Sequence, residues 1–267
     1  NGSLVKSGAG TLTLGAVTSF GGTTTVNGGT LVGGVSGALG STSAIAVNGA
    51  LLNVVDYNGA AALSVDASGF ATISGTGLSL AAVSNANTAS DSVYFTGVSG
   101  TTTLASLSGV GNTRFASNAT ILGGGISLGT VNVAGLLTSD ISGGVVNAGT
   151  LSSGTVSGGV TGITNAATVT TVSGGTVTVG GIATLGTVSG GVLNLNGATS
   201  SVSILNGGSL NLGTTVLTVA SGNTVGTITG LNGSLVKSGA GTLTLGAATS
   251  FGGTTTVNGG TLVGSVT

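Results

Sequence analysis

Paired glycines recur through the middle of this chain at a nearly constant spacing, and that spacing limits the fold more than any other feature. The pairs are Gly143-Gly144, Gly158-Gly159, Gly174-Gly175, Gly190-Gly191 and Gly207-Gly208, at successive steps of 15, 16, 16 and 17 along the chain. Each follows an apolar residue and then Ser or Asn (Ile141-Ser142, Val156-Ser157, Val172-Ser173, Val188-Ser189, Leu205-Asn206) and precedes a strand-like stretch. A repeat this short cannot enclose a core alone; it gains one by stacking on its neighbours. The expected fold is all-β, a single-stranded parallel β-solenoid with rungs of about 15–20 residues and glycine at the corners.

Between the glycine pairs the chain alternates. Thr11-Leu12-Thr13-Leu14, Thr176-Val177-Thr178-Val179, Leu193-Asn194-Leu195 and Leu210-Asn211-Leu212 place apolar side chains two residues apart. In a strand these share one face, with Thr or Asn on the other. Leu12, Leu14, Val26, Leu31, Val177, Val179, Leu193, Leu195, Leu210 and Leu212 are therefore expected to line the core. Helix formers are scarce: Glu, Gln and Met are absent, and Gly and β-branched residues dominate. Asn at corners is expected to form ladders from rung to rung.

A much longer repeat encloses this short one. Residues 1–36 return as residues 232–267 with 33 of 36 positions identical, differing at Val17/Ala248, Gly34/Ser265 and Ser36/Thr267. The expected organisation is one solenoid unit over 1–231, with 232–267 the start of the next tandem copy, continuous with the same solenoid and cut from a longer array. A unit of about 12–15 rungs at ~4.8 Å each would rise about 58–72 Å. Asn53 to Asn118 is less regular, and reads as wider or decorated rungs. It holds Asp56, Asp66, Asp91, Arg114, Tyr57, Tyr94, Phe70, Phe95 and Phe115. Two readings of those aromatics stay open: filling of a locally larger core, or a lateral contact or ligand patch, since aromatics and Arg favour interfaces.

The terminal copies resemble a known family. Leu4-Val5-Lys6-Ser7-Gly8-Ala9-Gly10-Thr11-Leu12-Thr13-Leu14, followed by Phe20-Gly21-Gly22-Thr23-Thr24-Thr25-Val26-Asn27-Gly28-Gly29-Thr30-Leu31, is similar to the autotransporter-associated β-strand repeat. Lys6, Gly8, Gly10, Thr11, Thr30 and Leu31 fall on the family's characteristic positions, and Phe20 stands where an aromatic, usually Tyr, is expected. The resemblance covers Leu4 to Leu31 and the matching part of the second copy; the stretch between is similar only in general character. It implies right-handed β-helical segments in large secreted or surface-displayed bacterial proteins, and it carries no catalytic residues.

Composition excludes much else. Charged residues are 3% of the chain, against about 25% in ordinary soluble domains. Three basic residues, Lys6, Arg114 and Lys237, make no nucleic-acid stripe. No apolar run approaches the roughly 18 residues of a transmembrane helix, and two Tyr and five Phe are too few for the aromatic girdles of an outer-membrane barrel. Without His or Cys there is no Ser-His or Cys-His dyad and no imidazole or thiolate metal site. Four Asp and no Glu could form a glycosidase-type acid pair only if distant rungs aligned. No GG pair is followed by the Asp of a calcium nonapeptide, and neither Gly8-Ala9-Gly10 nor Gly123-Gly124-Gly125 is a phosphate loop. No catalytic, cofactor-binding or metal-ligating residue is expected, and no cofactor.

The function this implies is a non-catalytic structural component of an extracellular or surface-displayed bacterial filament or fibre built from tandem solenoid repeats. The expected partner is the chain itself, end to end, with lateral self-association through 53–118. An adhesin or autotransporter passenger attaching to cells or surfaces is the alternative. A polysaccharide-active β-helix enzyme is disfavoured by the scattered carboxylates. An ice-binding solenoid is disfavoured because the Thr-x-Thr pairs (Thr11/Thr13, Thr23/Thr25, Thr101/Thr103, Thr168/Thr170, Thr176/Thr178) do not recur on every rung.

Overall fold

The structure is a computed structural model that describes residues 2–57, 59–97, 100–246 and 249–264. Among the described residues every regular element is a strand, and no helix occurs. The strands pair in parallel, and within the interior of each unit a strand pairs with the one a turn before it and the one a turn after it. Two compact units divide the chain, Asn1–Thr138 and Ser139–Thr267. The division falls within the long repeat, not at its edge. Each unit is a parallel β-solenoid.

In the second unit the register follows the glycine spacing. Val145 pairs with Val160, Val160 with Thr176, Thr176 with Val192 and Val192 with Ser209, again at steps of 15, 16, 16 and 17. The corner itself enforces the step. Gly159 and Gly175 adopt φ of 74° and 73°, a conformation that costs glycine little and other residues more. Their carbonyls accept the amides of Thr176 and Val192 on the next rung at 2.9 and 2.8 Å. A Cβ on Gly175 would lie 2.6 Å from the Gly158 carbonyl, so the corners stack only as bare backbone.

Period-two alternation fills the interior. Val177, Val179, Leu193, Leu195, Leu210 and Leu212 are all buried, with Thr178 and Asn194 turned outward. Val177, Leu193 and Leu210 form one column, each directly above the next. Full burial of such a side chain contributes about 1.5–3 kcal/mol. Asn ladders occur outside the core: Asn48 Nδ2 donates to Asn27 Oδ1 at 2.9 Å, and Asn132 Nδ2 reaches Asn112 Oδ1 at 3.4 Å.

Rungs of the first unit are longer. Thr101 pairs with Asn118 at a step of 17, but Ala71 pairs with Val93 at a step of 22 and Val83 with Leu107 at one of 24. The expected rung length fits the glycine-paired region and is exceeded here, because extra residues leave the rung between strands Ser79–Asn85 and Val93–Phe95 without disturbing the strand columns.

The two terminal copies share one strand register. Leu4 pairs with Thr24 and Thr11 with Thr30; Leu235 pairs with Thr255 and Thr242 with Thr261. Leu12 and Leu14, expected in the core, are only half-buried, whereas the matching Leu243 and Leu245 are buried. Strand Thr224–Val225 pairs with Thr242–Leu245 on its preceding side, while among the described residues Thr11–Leu14 pairs with Thr30–Gly33 alone. Val26 and Leu31 are fully buried.

Candidate functional site

Charged groups in this chain are few, and most of them are held by identifiable partners. Lys6 and Lys237 point inward. Lys6 shares the parity of Leu4, and its column continues as Val26, Val47 and Val65. Lys237 lies between Val219 and Val257 and has no solvent exposure. Among the described residues no carboxylate pairs with either ammonium. Backbone carbonyls do so instead: Lys237 Nζ donates to Ala220 O at 2.8 Å, to Gly239 O, and to Gly259 O at 3.2 Å. Those three carbonyls lie on successive rungs, so the ammonium's three donors tie three turns together. Lys6 Nζ reaches Ser7, Gly8 and Gly28 at 3.1, 2.7 and 2.9 Å.

Two carboxylates also accept backbone amides. Asp66 Oδ1 accepts the amides of Gly49, Ser68 and Gly69 at 3.0, 3.0 and 2.7 Å, and the first of these joins neighbouring rungs. These amides, Gly49 foremost, hold its pKa below the usual carboxylate value. Asp140 Oδ1 accepts the Thr155 amide at 2.8 Å.

The aromatics of 53–118 divide into buried rings and outward-facing ones. Phe95 and Phe115 are buried, paired in register and stacked, their ring centroids 4.9 Å apart and planes 7° from parallel. Tyr57 is buried as well, and loss of solvation pushes its hydroxyl pKa up. Phe70, Tyr94 and Arg114 instead face outward on strands Phe70–Ser74, Val93–Phe95 and Asn112–Phe115.

These outward residues form one patch. Tyr94 stands between Thr72 and Arg114 in the register. The Arg114 guanidinium carbon lies 4.8 Å from the Tyr94 ring centroid, within cation–π range. Arg114 Nη1 also donates to Asp91 Oδ2 at 2.9 Å, and this contact raises the arginine pKa. Phe70, 38% exposed, is one rung away and two residues before Thr72. Because Lys6 and Lys237 are buried, Arg114 is the one basic side chain at the surface.

A buried polar network fixes the segment that carries Asp91. Asn85, Asn87 and Ser92 are at most 3% exposed. Asn85 Nδ2 donates to Ser92 Oγ and Asn112 O at 3.0 and 2.9 Å, and Asn87 Nδ2 to Gly69 O at 2.7 Å. Ser92 Oγ donates to Asn87 O at 2.6 Å. Asp91 itself takes a φ of 55°, which an Asp tolerates better than most residues. The excursion is thus tied to both neighbouring rungs.

Sequence reasoning singles out the aromatics and Arg114 but misses the buried lysines and the Asn85 network. For the lysines a signal exists, since Leu4 and Lys6 share parity within a strand. For Asn85 none does, because the partners that tie it to the next rung, Asn112 and Thr113, lie far along the chain. Among the described residues no group of three or more His, Cys, Asp or Glu is placed to hold a metal ion.

Comparison with known families adds one relation. Residues 4–32 and 235–263 each match the family model described as Passenger-associated-transport-repeat. No curated protein and no solved structure gives a match.

Proposed function

Starting from two passenger-associated-transport repeats on a parallel β-solenoid, we propose that this chain is a non-catalytic structural segment of a bacterial filament or surface fibre, outside the cell. The repeats and the fold together support a passenger-type surface protein. The finer reading rests on one observation above all: the two terminal copies share strand register and the lysine clamp. A clamp that reads carbonyls of successive rungs suits a solenoid in which one turn follows another over a long distance. Units of this kind stack end to end along a tandem array.

The residue inventory supports a structural role over a catalytic one. Acid–base catalysis needs groups with tuned pKa values set near one another. Here Asp66 and Asp140 are occupied with backbone amides, Asp91 with Arg114, and both lysines with carbonyls. The test has two parts. Antibody against the solenoid is expected to label intact producing cells; label that appears only after permeabilisation overturns the surface assignment. Electron micrographs of chains with one, two and three copies of the long unit are expected to lengthen by about 58–72 Å per unit, from ~4.8 Å per rung. Compact particles of constant length contradict the fibre.

A further inference from the structure

We infer that the Phe70–Tyr94–Arg114–Asp91 patch is a binding site for a neutral carbohydrate. Outward positions elsewhere in the first unit's strands are mostly Thr, Ser, Ala, Asn and Gly, whereas this patch gathers the surface arginine, an exposed phenylalanine ring and a half-exposed tyrosine on three successive rungs. Two features make it a built site. The guanidinium is held twice, at 4.8 Å over the Tyr94 ring and at 2.9 Å from Asp91. Asp91 in turn sits on an excursion pinned by buried Asn85, Asn87 and Ser92. A site whose groups are fixed before binding loses less side-chain freedom when a ligand arrives.

The chemistry selects the ligand. Arg114 and Asp91 cancel each other's charge, so the patch offers no net attraction to a polyanion or a polycation. What remains is an apolar ring surface beside a planar donor and a carboxylate acceptor, each with hydrogen-bonding capacity beyond their mutual contact. A pyranose ring presents the same combination, an apolar C–H face and a rim of hydroxyls. Its C–H face would lie on Phe70 while its hydroxyls bond the Arg114–Asp91 pair. Flat aromatic protein surfaces lack the rim of hydroxyls, and an anionic sugar would compete with Asp91 for the arginine.

This inference goes beyond the structural role, and binding by the isolated chain does not depend on where the protein resides. Saturation-transfer NMR on the full chain would use three neutral probes, cellotetraose, a branched mannotriose and lacto-N-tetraose, with a heparin tetrasaccharide as the charged comparison. Transfer is expected to at least one neutral probe at millimolar concentration. Phe70→Ala and Arg114→Ala are expected to weaken that binding about tenfold or more, with an unchanged thermal midpoint. The tyrosine emission is a second readout, since the chain has no Trp and Tyr57 is buried. Absence of binding to all three neutral probes overturns the inference, as does binding that survives both substitutions. Preference for the heparin fragment overturns it too. Concentration-dependent sedimentation abolished by Phe70→Ala and indifferent to sugar would assign the patch to self-association instead.

Discussion

Lys6 and Lys237, which occupy the same place in the two terminal copies, hold equivalent carbonyls: Gly8 and Gly28 for the first, Gly239 and Gly259 for the second. They differ in the third partner, which is Ser7 within the same turn for Lys6 and Ala220 on the preceding rung for Lys237. The stabilisation therefore differs. Lys237→Met keeps the volume but leaves acceptors on three rungs without their donor, at about 1–3 kcal/mol for each buried one. Lys6→Met is expected to cost less, because its site keeps 7% exposure and water can replace the ammonium. Urea unfolding of the two variants checks the order; equal losses would show that the interrung carbonyl does not matter.

Thr161 interrupts an apolar column. It sits between Val146 and Val177, has no solvent exposure, and its hydroxyl has no hydrogen-bonding partner among the described residues. Thr161→Val preserves shape and removes a buried, unsatisfied polar group, so it is expected to stabilise the fold by about 1–3 kcal/mol. A loss of stability in the same unfolding measurement would mean that the hydroxyl is satisfied in solution.

The Phe95–Phe115 stack anchors the wide rungs. Each ring is buried, and truncation to Ala is expected to cost about 3–5 kcal/mol through the cavity it leaves. The double variant is expected to cost less than the sum of the singles, by about 0.5–1.5 kcal/mol, the coupling of a stacked pair. Strict additivity would deny the stack any energy beyond burial.

Asp66 sets an acid limit on one corner. Its folded pKa lies below its unfolded value because three amides bind the carboxylate. The contribution is therefore complete above the unfolded value, about 3.9, and is lost as pH falls through the folded value. Solvent screening at this corner keeps it modest. Stability measured between pH 6 and 2 is expected to fall less steeply below about pH 4 in Asp66→Asn. An identical slope in both proteins removes Asp66 from the acid response.

The alternation of Val177, Val179, Leu193 and Leu195 and the spacing of the glycine pairs make the strands, the inward face and the register of the second unit legible, because both signals are local. The first unit is less legible. Its widest rung, which carries Val83 to its partner Leu107, is held by contacts such as Asn85 to Thr113 that join distant segments, and no short-range pattern encodes them. Similarly, composition draws attention to Phe70, Tyr94, Phe95, Arg114 and Phe115 together. Strand parity separates the buried rings from the exposed ones only once each strand's phase is known. Residue type alone places a lysine at the surface, yet its long apolar stem and three donors let it span a corner when carbonyls converge there.

Successive rungs of the second unit lie in parallel register one glycine-pair step apart, and thiol cross-linking reads that register out because the chain has no cysteine. Thr178 and Asn194 are register partners, and Asn211 follows Asn194 on the next rung. With Cys at positions 178 and 194 the thiols lie across a strand spacing of ~4.8 Å, and dibromobimane is expected to cross-link them within one chain. With Cys at 178 and 211 the thiols are two rungs apart, roughly 9.6 Å, and intramolecular cross-linking is expected to be weak. Efficient linkage of 178 to 211 with none of 178 to 194 would contradict the stacking register.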